Sequence, residues 1–296
     1  SQSFSVSAQD SAPEGMAFNT DGTKMFVVGS AGDAVYEYAL STGFDVSTSS
    51  FTDSLDVSAQ ATTPSGIAFN SDGTKMFVVG STSDAVHEYA LTTGFDVSTA
   101  SFTDSFSVAA QDTVPEGLAF NTDGTKMFVV GRVGDAVYEY ALTTGFDVST
   151  ASFTDSFDVS AQSSFPAGVA FNTDGTKMFI VGYSSDSVHE YALTTGFDVS
   201  TSAFTVSFSV SAQSSAPRGL VFNTDGTKMF IVGNTNDAIY EYTVISASYT
   251  NQMDKTQLDA VTDPNHIALG NDFDLSIILN MTSGTTVPSS NGVAIN

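Results

Sequence analysis

The chain of 296 residues has no cysteine and no tryptophan, and its 8 Lys and Arg residues face 33 Asp and Glu residues. Without cysteine, neither a disulfide framework nor a thiolate metal site can form. The formal net charge of −25 repels nucleic acids and anionic membranes, so we expect neither as a partner. Charge of this size is best tolerated where salt screens it, so we expect an extracellular setting.

Long hydrophobic runs and helix signals are also missing. No run of 18 apolar residues is present, so the sequence has no candidate transmembrane helix, and no signal peptide is recognisable. No stretch combines a helical period with helix caps. The chain opens inside a repeat and stops abruptly after Ala294-Ile-Asn296, so we expect it to be a fragment or processed piece of a longer protein.

The main positive feature is a 51-residue repeat that occurs five times. A Pro-x-Gly signature marks each copy, at Pro13/Gly15, Pro64/Gly66, Pro115/Gly117, Pro166/Gly168 and Pro217/Gly219. A fixed period of this length indicates one supersecondary unit packed against copies of itself.

Each repeat reads as four short antiparallel strands. In the first copy we predict strands at Gly15–Phe18, Lys24–Gly29, Ala34–Leu40 and Phe51–Ala59, with a tight Asp21-Gly22 turn between the first two. In the fourth strand, Phe51, Leu55, Val57 and Ala59 should share one face. Four strands per repeat predict a β-propeller blade. An open solenoid would need polar capping repeats, and the end copies here are as apolar as the others.

The ends of the repeat array favour a closed ring. The fourth strand follows only four of the blades, and its fifth copy lies at the N-terminus in Ser3–Ala8. We therefore predict an all-β, five-bladed propeller over residues 1 to 246, in which the N-terminal strand closes the last blade. Residues 247–296 should form a β-hairpin-like appendage, or a connection to a missing region, that contacts neighbouring subunits of an assembly.

The copies differ mainly in two loops, which precede the first strand and join the second to the third. In an antiparallel meander both loops lie at one end of the blade, and we call that end of the ring the variable face. The opposite end, with the Asp-Gly turns, is the turn face. Loops on a rigid scaffold commonly bind ligands, so the candidate ligand-binding residues are Glu14, Glu116, Arg132, Phe165, Tyr183, Arg218, Asn234 and Asn236. Neutral drift of the loops is the alternative.

Other polar positions favour structural roles. Glu14 and Glu116 should face the mouth of the central channel, but they belong to non-adjacent blades, so a tight catalytic dyad is not expected. His87 and His189 lie on different blades and cannot share a metal. The third strand of each blade contains a glutamate at the same position, as at Glu37, and this repetition predicts a structural hydrogen bond in every blade. We expect no cofactor and no specific metal site, although weak Ca²⁺ binding fits the acidic composition.

Two phrases of the repeat resemble known sequences. Phe18–Gly29 looks like the hairpin of YVTN-type propeller repeats, which implies the same fold. Val35–Thr48 resembles repeats in large structural proteins of marine bacteriophages and related environmental sequences. That resemblance implies a place on a virion or appendage and brings no catalytic residues with it.

Three functions remain open at this point. The first is a non-enzymatic propeller of a larger extracellular or virion protein that binds a host-surface glycan or protein through the variable face. The second is a purely architectural spacer or oligomerisation module. The third is a propeller hydrolase, such as a lactonase or glycosidase, which would need acids or a metal cluster converging on the channel.

Overall fold

The computed structural model describes residues 2–244, and the predicted appendage at residues 247–296 lies outside them. Five four-stranded antiparallel sheets confirm the predicted propeller. Strand β1 (Gln2–Ser5) comes first along the chain. Blades one and two contain β2 (Pro13–Phe18), β3 (Lys24–Gly29), β4 (Ala34–Leu40), β5 (Ser49–Asp56), β6 (Pro64–Phe69), β7 (Lys75–Gly80), β8 (Ala85–Leu91) and β9 (Ala100–Ser107).

The remaining blades repeat this order. Blades three and four contain β10 (Pro115–Phe120), β11 (Lys126–Gly131), β12 (Ala136–Leu142), β13 (Ala151–Asp158), β14 (Pro166–Phe171), β15 (Lys177–Gly182), β16 (Ser187–Leu193) and β17 (Ser202–Ser209). Blade five contains β18 (Pro217–Phe222), β19 (Lys228–Gly233) and β20 (Ala238–Thr243). Strand β1 pairs antiparallel with β20 and supplies the outer strand of blade five. The predicted closure of the ring by the N-terminus is therefore confirmed.

The fourth strands differ from their prediction. Strand β5 runs from Ser49 to Asp56, and a short 3-10 helix at Val46–Thr48 precedes it. The pairing with β4 shifts between Asp53 and Phe51, so Thr52 is the extra residue of a bulge. Because the bulge breaks the alternation, Phe51 is 45% exposed, whereas Val57 is buried in the link that follows. The expectation of one apolar face over Phe51–Ala59 was wrong.

The hydrophobic core lies between blades, where neighbouring sheets pack face to face. Phe26 and Val28 of blade one, for example, pack with Ile67 and Met76 of blade two. Four further clusters of the same composition occur around the ring, and one of them joins Met16 and Met25 of blade one to Phe230 of blade five. Each blade thus buries both of its faces only when its two neighbours are present, as a repeat architecture requires.

Adjacent blades are also joined on the turn face by an ion pair that we call the latch. Lys24 Nζ lies 2.7 Å from Glu37 Oε1 in blade one and donates to the Phe95 carbonyl oxygen of blade two at 2.6 Å. Glu37 Oε2 accepts from the Val97 backbone N–H of blade two at 3.1 Å. The same contacts to the next blade recur at Lys75/Glu88, Lys126/Glu139 and Lys228/Glu241. These contacts confirm that the repeated glutamate makes a structural hydrogen bond.

Candidate functional site

The five inner strands meet at a ring of glycines near the variable face. The ring consists of Gly15, Gly66, Gly117, Gly168 and Gly219. A Cβ atom built on Gly117 would lie 2.7 Å from the Ala167 carbonyl oxygen and 2.9 Å from the Gly168 Cα. Only glycine permits strands to approach this closely. The ring therefore sets the narrow end of the channel and places the residue before each glycine at the mouth.

Below the glycine ring, the axis of the propeller holds a cavity of about 450 Å³. Its walls are the inner strands, from Gly15 to Phe18 and their counterparts, and it extends to the turn residues Asn19 and Thr20. The inner-strand side chains mostly point sideways into the cores between blades, as Met16 and Ala17 show. The cavity therefore carries no group from the predicted site.

Above the glycine ring lies a charged cluster of Glu14, Glu116, Arg132 and Arg218. Arg218 lies between the two carboxylates, with its Nε 3.1 Å from Glu14 Oε2 and its NH1 3.7 Å from Glu116 Oε2. Arg132 NH1 approaches Glu116 Oε1 at 3.6 Å. These four side chains border a small pocket of about 130 Å³ together with hydroxyls of Ser30, Thr63, Ser65 and Ser81. The residues predicted at the channel mouth are therefore present there, and Arg218 bridges the two carboxylates.

Phe165 and Tyr183 lie beside the charged cluster, and we call them the aromatic pair. Their ring centroids are 6.0 Å apart. The guanidinium carbon of Arg218 lies 4.4 Å from the Tyr183 ring centroid, and that of Arg132 lies 5.1 Å from the Phe165 centroid, which are cation–π distances. Six of the eight predicted site residues thus form one continuous group on the variable face.

The two predicted asparagines differ in position. Asn234 Nδ2 lies 3.3 Å from both Glu14 Oε1 and the Pro13 carbonyl oxygen, so this side chain extends the charged cluster. Asn236 instead donates to the Gln213 carbonyl oxygen at 3.1 Å and to the Tyr240 hydroxyl at 2.9 Å. Its contacts hold its own loop, away from the cluster.

Burial has the largest effect on the pKa values of the Glu14 and Glu116 carboxyl groups. It raises the pKa of Glu14 to about 7, although attraction to Arg218 and a hydrogen bond from Ser30 act in the opposite direction. Burial also raises the pKa of Glu116, and attraction to Arg218 and Arg132 opposes that shift. Near neutral pH the Glu14 carboxyl can therefore exchange a proton, unlike the exposed Asp side chains of the turn face.

Stability should depend on pH through Glu14. Its folded pKa of about 7 lies above the ordinary value of 4.5, so its contribution is fully present below pH 4.5 and is lost as the pH rises through 7. The loss amounts to about 3 kcal/mol for the group. We expect the free energy of unfolding of the wild type to fall by this amount, relative to Glu14→Gln, between pH 4.5 and 8.

Urea denaturation of both proteins across this pH range tests the prediction. The pKa values of His87 and His189 are lowered by burial, that of His189 to about 4. The two histidines lower the free energy of unfolding as the pH falls below 6.5, which is the opposite direction from Glu14. Both proteins contain these histidines, so the contribution cancels in the difference between them. Parallel stability curves for the two proteins would contradict the assignment.

A second set of polar residues under the variable face was not predicted. In blade one the buried Asp10 carboxylate accepts from the Ala12 and Gly32 backbone N–H groups, at 2.7 and 2.9 Å, and lies 3.3 Å from the Tyr36 hydroxyl. Blade three repeats this arrangement with Asp112, Gly134 and Tyr138. Blades two and four instead pair Ser83 with His87 and Ser185 with His189, at 2.9 and 2.8 Å.

These sets explain why the histidines alternate with tyrosines along the ring. A Cβ atom on Gly32 would overlap the Tyr36 hydroxyl, so the Asp–Tyr arrangement requires glycine, whereas the shorter histidine leaves room for Ser83. The signal in the sequence was the joint change of three positions between copies. Each set holds its loop to the blade beneath, which makes the variable face a rigid platform.

Comparisons with known proteins identify the fold but no family. No family model matches the sequence, and no curated protein matches it. The similar solved structures are β-propeller proteins. One, from Bacteroides uniformis and provisionally named a 6-phosphogluconolactonase, has a TM-score of 0.50 at 13% identity over 79% of this chain, which spans 66% of that protein.

Two further structures show the same level of similarity. A protein from Lactobacillus plantarum has a TM-score of 0.50 and 15% identity, over 82% of this chain and 70% of its own. A chain of a nidogen/laminin complex has a TM-score of 0.50 and 11% identity, over 78% of this chain and 75% of its own. At such identities the similarity shows the fold alone, since propellers carry unrelated functions.

Residues 2–244 contain neither a membrane-spanning helix nor a cluster of metal ligands. None of their helices is long and apolar enough to cross a membrane. Across the same range, no three histidine or acidic side chains are grouped in a way that could hold a metal ion. Weak binding of Ca²⁺ remains a prediction.

Proposed function

We propose that the chain is a non-enzymatic binding propeller of an extracellular or virion-surface protein, and that its variable face binds a glycan on a host surface. The observation that carries the proposal is the broken symmetry of the ring. The turn face repeats the same latch in blades one, two, three and five, whereas the variable face concentrates two arginines and two aromatic rings in blades three to five.

The charged cluster and the aromatic pair together have the chemistry of a carbohydrate-binding surface. Phe165 is 39% exposed, and an exposed ring edge or face beside hydroxyl groups can pack against the apolar side of a sugar ring. The Arg132 side chain is 38% exposed, so its guanidinium can donate to sugar hydroxyl or carboxylate oxygens. Glu14 and Glu116 hold the arginines in place, and Glu14 also accepts hydrogen bonds from Ser30 and Asn234. A rigid site of this kind binds without ordering its loops first.

A glycan-array screen of the purified chain, with and without Ca²⁺, tests the proposal. We expect binding by the wild type and at least a tenfold weaker signal for Phe165→Ala and for Tyr183→Ala. The matched control is Phe153→Ala on the outer edge of blade three, a phenylalanine that is exposed to a similar degree, 45%. It should bind like the wild type. An equal loss in all three variants, or no binding to any glycan, would favour the architectural alternative.

A hydrolase is the second candidate, because Glu14 has a pKa of about 7 and lies in one cluster with a second buried carboxyl group, Glu116. Such a pair could act as acid and base. The arginine between them argues against this function, since it occupies the space that a substrate oxygen would need. Turnover of lactones or glycosides that Glu14→Gln abolishes, with glycan binding retained, would establish the enzyme.

A further inference from the structure

Glu116 is a buried carboxylate whose oxygens lack hydrogen bonds. The residue is only 5% exposed, and it borders the small pocket above the glycine ring. Its cationic neighbours, Arg132 NH1 and Arg218 NH1, lie 3.6 and 3.7 Å away, which is too far for a hydrogen bond. Among residues 2–244 no N–H or O–H group donates to either oxygen. An ionised carboxylate can accept about four hydrogen bonds, and burying it without any is costly.

Arg218, which borders the same pocket, has unused donors. Its Nε is buried and makes no hydrogen bond within the described part of the chain, although Glu14 Oε2 lies 3.1 Å away. That oxygen accepts no hydrogen bond either, because the Nε–H does not point at it. Buried donors and acceptors of folded proteins are normally paired. These unpaired groups therefore indicate that a hydrogen-bonding partner from outside the chain completes the pocket.

The charge around the pocket disfavours an anionic partner. The two arginines and the two glutamates of the charged cluster balance each other. Asp10 and Asp112, which are held beneath the variable face, add two carboxylates that act electrostatically on Glu14 and Glu116. The net charge of the whole chain is −25. A carboxylated or sulfated sugar would meet this negative field, and a metal ion would meet two guanidinium groups, so the partner should be uncharged.

We propose that the pocket binds two neighbouring hydroxyl groups of an uncharged sugar, which donate to the oxygens of Glu116 and accept from Arg132 and Arg218. This sugar class rests on the glycan-binding function proposed above. A hydroxyl group has one donor and two acceptor sites, so it can satisfy a carboxylate oxygen and a guanidinium N–H at once. Hydrogen bonds of this kind, with a charged partner, are about twice as strong as those between neutral groups.

The size and the surroundings of the pocket agree with this arrangement. Its volume of about 130 Å³ corresponds to about four water molecules, which is enough for the hydroxyl-bearing edge of one sugar ring. The guanidinium carbon of Arg132 also lies 5.1 Å from the Phe165 ring centroid. The apolar side of the sugar can therefore pack on the exposed Phe165 while its hydroxyls enter the pocket beside Arg218.

A glycan array read before and after mild periodate oxidation tests the proposal without any change to the protein. Periodate cleaves the carbon–carbon bond between two carbons that carry neighbouring hydroxyl groups, and borohydride then reduces the resulting aldehydes. We expect the wild type to prefer uncharged glycans to sialylated, uronic acid and sulfated ones, and to lose at least tenfold of that signal after oxidation. Binding that survives oxidation, or that is confined to acidic glycans, would overturn the proposal and leave the glycan-binding function intact.

The variant Glu116→Gln should change the binding of the two sugar classes in opposite directions. It keeps the shape of the side chain but removes its charge, so the affinity for uncharged glycans should fall at least tenfold. If an acidic sugar were the ligand, the same variant would leave the positive charge of Arg132 and Arg218 less opposed and would strengthen binding. The matched control Asp155→Asn removes one charge from the exposed outer strand of blade three and should bind like the wild type.

The remaining outcomes separate this pocket from the glycan-binding function as a whole. Circular dichroism and urea denaturation establish that Glu116→Gln is folded. Unchanged affinity of the folded variant would show that the pocket holds only water, which overturns the proposal. A wild-type chain that binds no glycan of any class would remove the proposed function itself, and the sugar class with it.

Discussion

Replacing Glu139 with alanine is expected to lower the free energy of unfolding by about 2–3 kcal/mol, because it removes the buried half of an ion pair and leaves a buried N–H unpaired, while the half-exposed lysine stays solvated. Glu139 is buried, and its two oxygens hold Lys126 Nζ at 2.7 Å and the Val199 backbone N–H of the next blade at 3.1 Å. The variant leaves the Val199 N–H without its acceptor and Lys126 with only the Phe197 carbonyl oxygen, so it loosens the contact between blades three and four. Urea denaturation followed by circular dichroism measures the loss.

Two controls separate the latch from a general effect of losing a carboxylate. Asp155→Ala removes an exposed carboxylate from the outer strand of the same blade, and it should change the stability by no more than about 0.5 kcal/mol. The double variant Lys126→Met/Glu139→Leu replaces the pair by apolar side chains and should be more stable than Glu139→Ala. A loss below about 1 kcal/mol in Glu139→Ala would show that the latch does not hold the blades together.

Alanine at Gly117 is expected to destabilise the propeller by about 3 kcal/mol, at the upper end of the usual cost of overpacking. The new Cβ atom would lie 2.7 Å from the Ala167 carbonyl oxygen, 2.8 Å from Val130 Cγ1 and 2.9 Å from the Gly168 Cα. Two of these atoms belong to the backbone of the inner strands and cannot rotate away. Thermal and urea denaturation both report the loss.

Gly219→Ala provides a graded comparison in the same ring. Its Cβ atom would meet the Val232 side chain at 2.9 Å, the Gly15 Cα at 3.0 Å and the Glu14 carbonyl oxygen at 3.1 Å. These contacts are less severe, so the destabilisation should be smaller than for Gly117→Ala. Equal and small losses at both positions would mean that the inner strands can move apart, and that the glycines do not fix the width of the channel mouth.

The sequence was sufficient to predict the fold because local and repeated signals agreed. The Asp21-Gly22 turn was expected from glycine's tolerance of positive φ, and Gly22 has a φ of 72°. The ring closure followed from counting outer strands, and β1 occupies the predicted edge. The boundary of β5 was missed because a bulge at Thr52 depends on how β4 and β5 twist together, which the pattern of apolar residues does not encode.

The sequence predicted which residues of the candidate site lie at the channel mouth, but not which of their side chains touch each other. The repeat itself places Glu14, Glu116 and Arg218 at equivalent points of the channel mouth. Their pairing depends on the long reach of Arg218, which contacts Glu14 of the adjoining blade one and also Glu116 of blade three, which is not adjacent. The position of Arg218 over Tyr183 likewise arises from contact between two blades. The role of these residues in binding stays a prediction.

Hydrogen–deuterium exchange of the chain, with and without the glycan selected by the array, tests the central claim most directly. The account predicts added protection in the loops around Arg132, Phe165 and Tyr183, with no change at the Asp-Gly turns that begin at Asn19, Asn70 and their counterparts. Protection confined to the turn face or to the outer strands would contradict it. Ligand binding would then have to be assigned to the part of the ring that repeats.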